Sequence, residues 1–354
     1  MKVLFQFSIL LISTLTMVLM VACDPIEKPL DNPTMSDAYA YVLNEGLWGG
    51  NDAEISRLDI VNGTIVNSYF SQKNGRGLGD LGQDLLIYGG KMYCAVYTSN
   101  TVEVIDPISG TSLQQINMGS RGPRYLAAAD GKVYVTCYDK SVARIDTANL
   151  SVEASCSLSG MQPEGICSLD GKLYVCNGWQ QTSSGDFQYD HTISVIDIAS
   201  FTEQRTIEVG YNPYKIKALD NGMLALCCWG DYGSHRPCMM LVDATTGQTT
   251  DLGVEASNFD VKNNDIYLYS YSRATGKSQF YMIDAVSHSR TEIMANSNVT
   301  IVSPSGINVN PTNGDIYITD SRNYQSGGDV HCFASDGTHR FCVASTVGPS
   351  KVVF

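Results

Sequence analysis

The chain has 354 residues, 44% of them apolar and only 17% charged, which is too apolar for a disordered protein and long enough to bury a large core. Its 23 Lys+Arg against 36 Asp+Glu give a net charge of −13, and no stretch clusters Lys or Arg, so nucleic-acid binding through counterion release is excluded. Twenty Tyr, 32 Gly and the lack of long Ala/Glu/Lys/Leu blocks also exclude a helical bundle.

Behind Lys2, an uncharged and largely apolar run extends from Val3 to Ala22 and ends in Met20-Val21-Ala22-Cys23. It resembles a bacterial lipoprotein signal, in which a peptidase cuts before the cysteine and the cysteine is acylated. Met20 departs from the Leu usual at that position. An uncleaved anchor or an ordinary secretory signal is the alternative. Residues 1–22 are therefore expected to be a signal peptide and Cys23 the lipidation site. Residues 23–38, with Pro25, Pro29 and Pro33, read as an extended tether.

A repeat fills residues 39–354. Gly90-Lys91-Met92-Tyr93, Gly131-Lys132-Val133-Tyr134 and Gly171-Lys172-Leu173-Tyr174 are nearly alike, and weaker copies begin at Asn221, Asn264 and Gly314. Each is a turn followed by a β-favouring strand. Tyr41-Val42-Leu43 is a seventh copy without its turn. A second strand follows each, ending in Asp at Asp59, Asp106, Asp146, Asp197, Asp243 and Asp284, with Ala334 in the last copy. These endpoints recur every 40–51 residues, the period of a β-propeller with one four-stranded sheet per blade. The chain starts in the second strand of a repeat and stops after Pro349–Phe354, which matches a first strand. The fold is predicted to be an all-β, seven-bladed propeller closed by strands from both termini.

The Gly-Lys-x-Tyr strands, the Val-Ile-Asp strands and the x-x-Pro turns at Pro123, Pro163 and Pro213 resemble the YncE-like, YVTN-repeat family of extracytoplasmic seven-bladed propellers. With the signal, the chain looks most similar to propeller lipoproteins of Bacteroides type, among them the BtuG-like proteins. That resemblance implies a corrinoid (cobalamin-like) ligand and a TonB-dependent outer-membrane transporter as partner. It also implies an outer-membrane, cell-surface location held by the lipid anchor. The repeat motifs specify the scaffold, not the ligand.

Strand order sorts the loops onto two faces. The loops joining second to third strands are Asn44–Ala53, Tyr97–Thr101, Tyr138–Ser141, Asn177–His191, Trp229–Pro237, Tyr269–Gln279 and Asp320–Asp329. They hold all three tryptophans, Trp48, Trp179 and Trp229, together with Tyr97, Tyr138, Phe187, Tyr189, Tyr232, Tyr271 and Tyr324. Turns of the opposite face, such as Asp106–Thr111 and Asp243–Gln248, are short and polar. Aromatic area on loops gains little until something docks on it. Some of these rings are expected to plug gaps between blades instead. A ring of channel positions at the first-strand starts comprises Asp84, Arg124, Glu164, Tyr214, Asp260, Ser305 and Ser350. Arg76 and Arg121 are expected near the same rim, and the Gly-rich segment Gln72–Gly82 to form a lid or connector. The expected ligand-binding residues are Trp48, Tyr97, Arg124, Tyr138, Trp179, Tyr214, Trp229, Tyr232, Tyr271 and Tyr324.

Signs of catalysis are few. The five His (191, 235, 288, 331 and 339) show no metal-ligand spacing, and there is no Gly-x-Ser-x-Gly elbow. Only His191 and His235 fall on the aromatic face, where solvation is the simplest reading of each. Ten cysteines follow Cys23, mostly within apolar strands as buried thiols. Cys228 and Cys238, flanking one loop, are the pair best placed to bridge. The expected function is thus a monomeric propeller that binds a ligand without transforming it and without metal or cofactor. The alternatives are a glycan- or protein-binding scaffold, or a lactonase-like or quinoprotein-like enzyme with a bound metal or cofactor.

Overall fold

The computed structural model describes residues 38–272, 275–294 and 298–354, so the expected signal, Cys23 and all but the last residue of the tether lie outside the described residues. Seven antiparallel four-stranded sheets make the propeller that the repeat predicts. Blade 1 combines Pro349–Val353 with Tyr39–Asn44, Glu54–Asp59 and Thr64–Val66. Blades 2 to 7 begin with the inner strands Gly82–Tyr88, Pro123–Ala129, Gln162–Leu169, Pro213–Ala218, Asn258–Lys262 and Pro304–Val309. The C-terminal strand supplies the inner edge of blade 1, pairing Tyr41 with Val353, Val42 with Val352 and Leu43 with Lys351.

The repeat motifs have local causes. Asp130 and Gly131 both have positive φ (50° and 73°), as do Asp170 and Gly171 (49° and 70°). Two such residues in succession form the two-residue hairpin turn whose twist matches that of the strands. The following second strands are buried almost throughout, as in Lys91–Val96 and Lys132–Cys137, because neighbouring blades cover both faces. Their apolar runs are therefore nearly continuous instead of alternating. The Asp at the end of the third strand in six of the seven blades then bends the chain back. Asp106 accepts the amides of Ile108 and Ser109 at 2.8 and 3.0 Å, and Asp243 those of Thr245 and Thr246 at 2.8 Å each. These amides hold the Asp243 carboxyl below its ordinary range. Fourth strands lie outermost, and those of blades 2 to 6 are largely exposed and polar.

Three expectations are corrected here. The loop placed at Asn177–His191 is mostly strand: Lys172–Gln181 pairs with Phe187–Asp197, and Trp179 lies opposite Tyr189. The Gly-rich segment Gln72–Gly82 is a connector, not a lid. It leaves a short helix, Tyr69–Asn74, buries Leu78, and bridges Gly79 to Ala53. Cys228 and Cys238 do face each other across one hairpin, but as free thiols.

Deleting Gly348–Phe354 removes the inner strand of blade 1 and opens both edges of the ring. The expected outcome is loss of cooperative thermal unfolding and early elution of aggregates in gel filtration. A truncated chain that stays monomeric with an unchanged Tm would contradict this account of closure.

Candidate functional site

Seven inner strands converge on a channel whose mouth opens into a cavity of about 880 Å³. Eight expected residues line it: Trp48, Tyr97, Arg124, Tyr138, Trp179, Tyr214, Trp229 and Tyr324. Tyr232 and Tyr271 line a second cavity of about 370 Å³ that shares Trp229 and Tyr324 with the first. Each blade contributes at least one ring to this face. A run of edge contacts crosses blades 1 to 4, with centroids 6.0 Å apart for Trp48–Tyr97, 5.2 Å for Tyr97–Tyr138, 5.9 Å for Tyr138–Trp179 and 5.4 Å for Trp179–Phe187. Beyond it, Tyr214 stacks on Trp229 at 3.6 Å. The Trp229 indole N–H donates to the Ser257 carbonyl at 2.9 Å, so its orientation is fixed. Trp48 is 73% exposed and Tyr232 59%, although Tyr232 also meets Tyr189 at 5.6 Å.

One ion pair braces the wall between blades 3 and 4. The Arg124 Nε and Nη2 donate to a single Glu164 oxygen at 3.1 and 3.0 Å, and Nη1 donates to Gln83 Oε1. The Tyr138 hydroxyl donates to the other Glu164 oxygen. The guanidinium also lies 4.6 Å from the Tyr138 ring centroid and 4.9 Å from that of Tyr97. Tyr125 donates to Tyr214 and accepts from Gln83 at 3.0 Å. Side-chain exposure is 12% for Arg124 and 4% for Glu164. Three of the five Arg124 N–H donors are thus held by the wall, and the guanidinium fixes the rings that face the cavity it also lines. Burial first, and the Glu164 carboxylate second, keep the Tyr138 and Tyr214 phenols above their ordinary range, so both remain neutral hydrogen-bonding groups.

The channel ring differs from expectation at two positions. Pairing register makes Gln83, not Asp84, the counterpart of Arg124, and it places Asp260 three residues deeper than Ser257. Asp84 and Asp260 face ammonium groups inside the channel: Lys351 reaches Asp84 at 2.6 Å and Lys217 pairs with Asp260. Arg76 and Arg121 turn away from the mouth, Arg76 to Glu103 at 2.7 Å and Arg121 to Asp139 at 3.6 Å. The sequence reading missed Glu45, Lys215, Lys217 and Lys351, which all line the cavity. Burial raises the Glu45 carboxyl above its ordinary range, opposed by Arg124. Lys215 and Lys351 follow the x-Pro turns by two positions, next to Tyr214 and Ser350; strict alternation from those two points to Ile216 and Val352 instead, and the register irregularity at the head of each strand hides the lysines from such a count.

Among the described residues, no histidine lines the cavity. Its one cysteine, Cys167, has a thiol pushed up to about 12 by burial, far from a thiolate at neutral pH. His191 and His235 stack on the two sides of Tyr211, with centroids at 5.1 and 3.8 Å, and His235 Nδ1 lies 2.7 Å from Asp231. Among the described residues, one group of metal-ligating types comes together, Asp329, His331 and Cys342 in blade 7. It lies outside the cavity, and Arg322 engages both Asp329 oxygens.

No family model and no curated relative matches the chain. Among solved structures it is similar to a quinoprotein alcohol dehydrogenase-like protein from Bacteroides thetaiotaomicron, with TM-score 0.64 and 16% identity over 90% of this chain and 78% of that one. It is also similar to Kuenenia stuttgartiensis hydrazine synthase (TM-score 0.57, 15% identity, 70% and 74% covered) and to streptogramin B lyase (TM-score 0.55, 12% identity, 73% and 81% covered). At such identities the likeness shows the propeller fold and nothing finer.

Replacing Arg124 by Ala leaves the Glu164 carboxylate buried without its counter-charge and should destabilise the chain by about 3–5 kcal/mol, read from urea unfolding. Arg124→Ala together with Glu164→Gln should recover part of that loss. A single variant as stable as the wild type would mean that the pair does not brace the wall.

Proposed function

We propose that the chain is a lipid-anchored, extracytoplasmic binding protein that captures a broad, partly apolar ligand at the channel mouth without transforming it. One observation carries the reading: every blade directs aromatic side chains to the same face, around one large cavity, and the wall behind them is internally hydrogen-bonded. Rings already fixed by Arg124–Glu164 and by the Trp229–Ser257 bond lose little freedom on binding, so contact area converts more fully into affinity. A flat ligand with polar edges suits such a site, its faces against Trp179, Tyr138 and the Tyr214–Trp229 stack. The likeness to BtuG-like lipoproteins makes a corrinoid the leading candidate and a TonB-dependent outer-membrane transporter the recipient.

A second reading has its own support. The largely exposed rings of Trp48 and Tyr232 at the rim would also stack on sugar faces, which favours a surface glycan as the alternative ligand.

Titrating the full chain with cobalamin and cobinamide, by tryptophan fluorescence and by calorimetry, separates the two. Saturable one-to-one binding to a corrinoid is expected, and Trp179→Ala and Trp229→Ala should each weaken it by about 2 kcal/mol. Flat calorimetric traces would remove the corrinoid and bring oligosaccharides forward. Corrinoid binding undiminished in both variants would remove the site assignment.

A further inference from the structure

Below the aromatic mouth the channel changes character. Three lysines line it: Lys215 and Lys217 from the inner strand of blade 5, and Lys351 from that of blade 1. Only two carboxylates answer them in this part of the wall. Lys217 pairs with Asp260 on blade 6, and Lys351 with Asp84 on blade 2 at 2.6 Å. Lys215 donates at 2.8 Å to the neutral amide oxygen of Asn258, and among the described residues no carboxylate lies within ion-pair distance of it.

Neither acid can swing across to supply the missing charge. The second Asp84 oxygen accepts the Leu126 amide of blade 3 at 2.9 Å. Asp260 accepts the Val261 amide at 2.9 Å through one oxygen and the Val309 amide of blade 7 at 3.0 Å through the other. Each carboxylate is thus fixed between two neighbouring blades and already shared with a lysine. Asn258 is fixed as well, since the same amide oxygen accepts the Phe259 N–H at 2.8 Å. A chain with 36 acidic residues against 23 basic ones thus directs into this cavity an ammonium that no carboxylate pairs directly. A charge withdrawn from bulk water is unfavourable unless paired, and here the open side is the channel itself.

We propose that the lysine-lined part of the channel is an oxyanion subsite in which Lys215, assisted by Lys217 and Lys351, holds a carboxylate or phosphate group of the ligand bound above it. The subsite rests on the reading of the cavity as a ligand site and adds to it the ligand's chemistry: a molecule with a broad apolar part and an anionic arm, entering arm first. The ionisation of Lys215 agrees with this. Burial first, then repulsion from Lys217 and Lys351, lower its amine to about 7, against the pull of Asp260 and Asp84. A bound oxyanion reverses that balance and holds the ammonium charged.

The test is calorimetric titration of the full chain with sodium sulfate and with sodium benzoate at pH 6 and pH 8, in a chloride background of constant ionic strength. Sulfate and benzoate keep their charge across this range, so a change in affinity reports on the protein. The groups facing Lys215 are the carboxylates Asp84 and Asp260 and the ammoniums Lys217 and Lys351; against burial, the Lys217–Asp260 pairing holds the Asp260 carboxyl below and the Lys217 amine above its ordinary range, and Lys215 is the amine brought down to about 7. Saturable binding of one oxyanion, at least several-fold tighter at pH 6 than at pH 8, is expected. Lys215→Met should lose it by tenfold or more. Lys215→Arg should keep it and abolish the pH dependence, because a guanidinium stays charged. Tighter binding of sulfate would mark the arm as phosphate-like, and tighter binding of benzoate as a carboxylate. No saturable binding of either probe, or equal binding by wild type and Lys215→Met, overturns the subsite. Corrinoid binding with no oxyanion binding would sink the subsite alone, and oxyanion binding with no apolar ligand would sink the reading of the aromatic mouth alone.

Discussion

Everything at the channel mouth depends on the pairing of Pro349–Val353 with Tyr39–Asn44. A seven-bladed ring distributes its inner strands around one axis, and their spacing is set only when the last blade meets the first. That pairing brings Lys351 of blade 1 against Asp84 of blade 2. Asp84 in turn accepts the Leu126 amide of blade 3, and the Asn308 side chain of blade 7 accepts the Val352 amide at 2.8 Å. Strand pairing between the two ends of the chain is thus continued across blades by side chains inside the channel, and the shape of the cavity follows from both.

Within that frame the polar and aromatic residues divide the work. Arg124, Glu164, Gln83 and Tyr125 are spent on one another, which costs desolvation but leaves Tyr97, Tyr138 and Tyr214 in fixed orientations. The rings nearest the rim, Trp48 and Tyr232, remain largely exposed. Deeper in the channel the ammonium groups outnumber their carboxylates. From rim to floor the site therefore passes from exposed aromatic faces, through a neutral hydrogen-bonded belt, to positive charge. A ligand that matches this order is apolar at one end and anionic at the other.

The fold was legible because propeller repeats leave period and turn chemistry in the sequence. Gly131-Lys132 and Asp146 are each explained by one turn, and the terminal Pro349–Phe354 segment could be assigned by register alone. The aromatic face was legible for the same reason: strand order decides which loops share a side, so Trp48, Trp179 and Trp229 could be grouped before any coordinates. What was not legible depended on distances between blades. The pairing of Arg124 with Glu164, 40 residues on, is one such contact. Asp84 and Asp260 were placed at the mouth because neither strand carries the Pro that marks the position in the other blades, Gly82 standing in its place in blade 2. Lys215 drew no notice because a lone lysine in a strand is ordinary, and only the fixed positions of Asp84 and Asp260 single it out.

The most direct measurement is a crystal structure of the chain grown with cobinamide. The account predicts density for the macrocycle at the channel mouth, in contact with Trp179, Tyr138 and the Tyr214–Trp229 stack, and little change in the Arg124–Glu164 geometry. Density on the opposite face, among the short turns that follow Asp106 and Asp243, or an empty mouth in crystals that hold the ligand elsewhere, would contradict it.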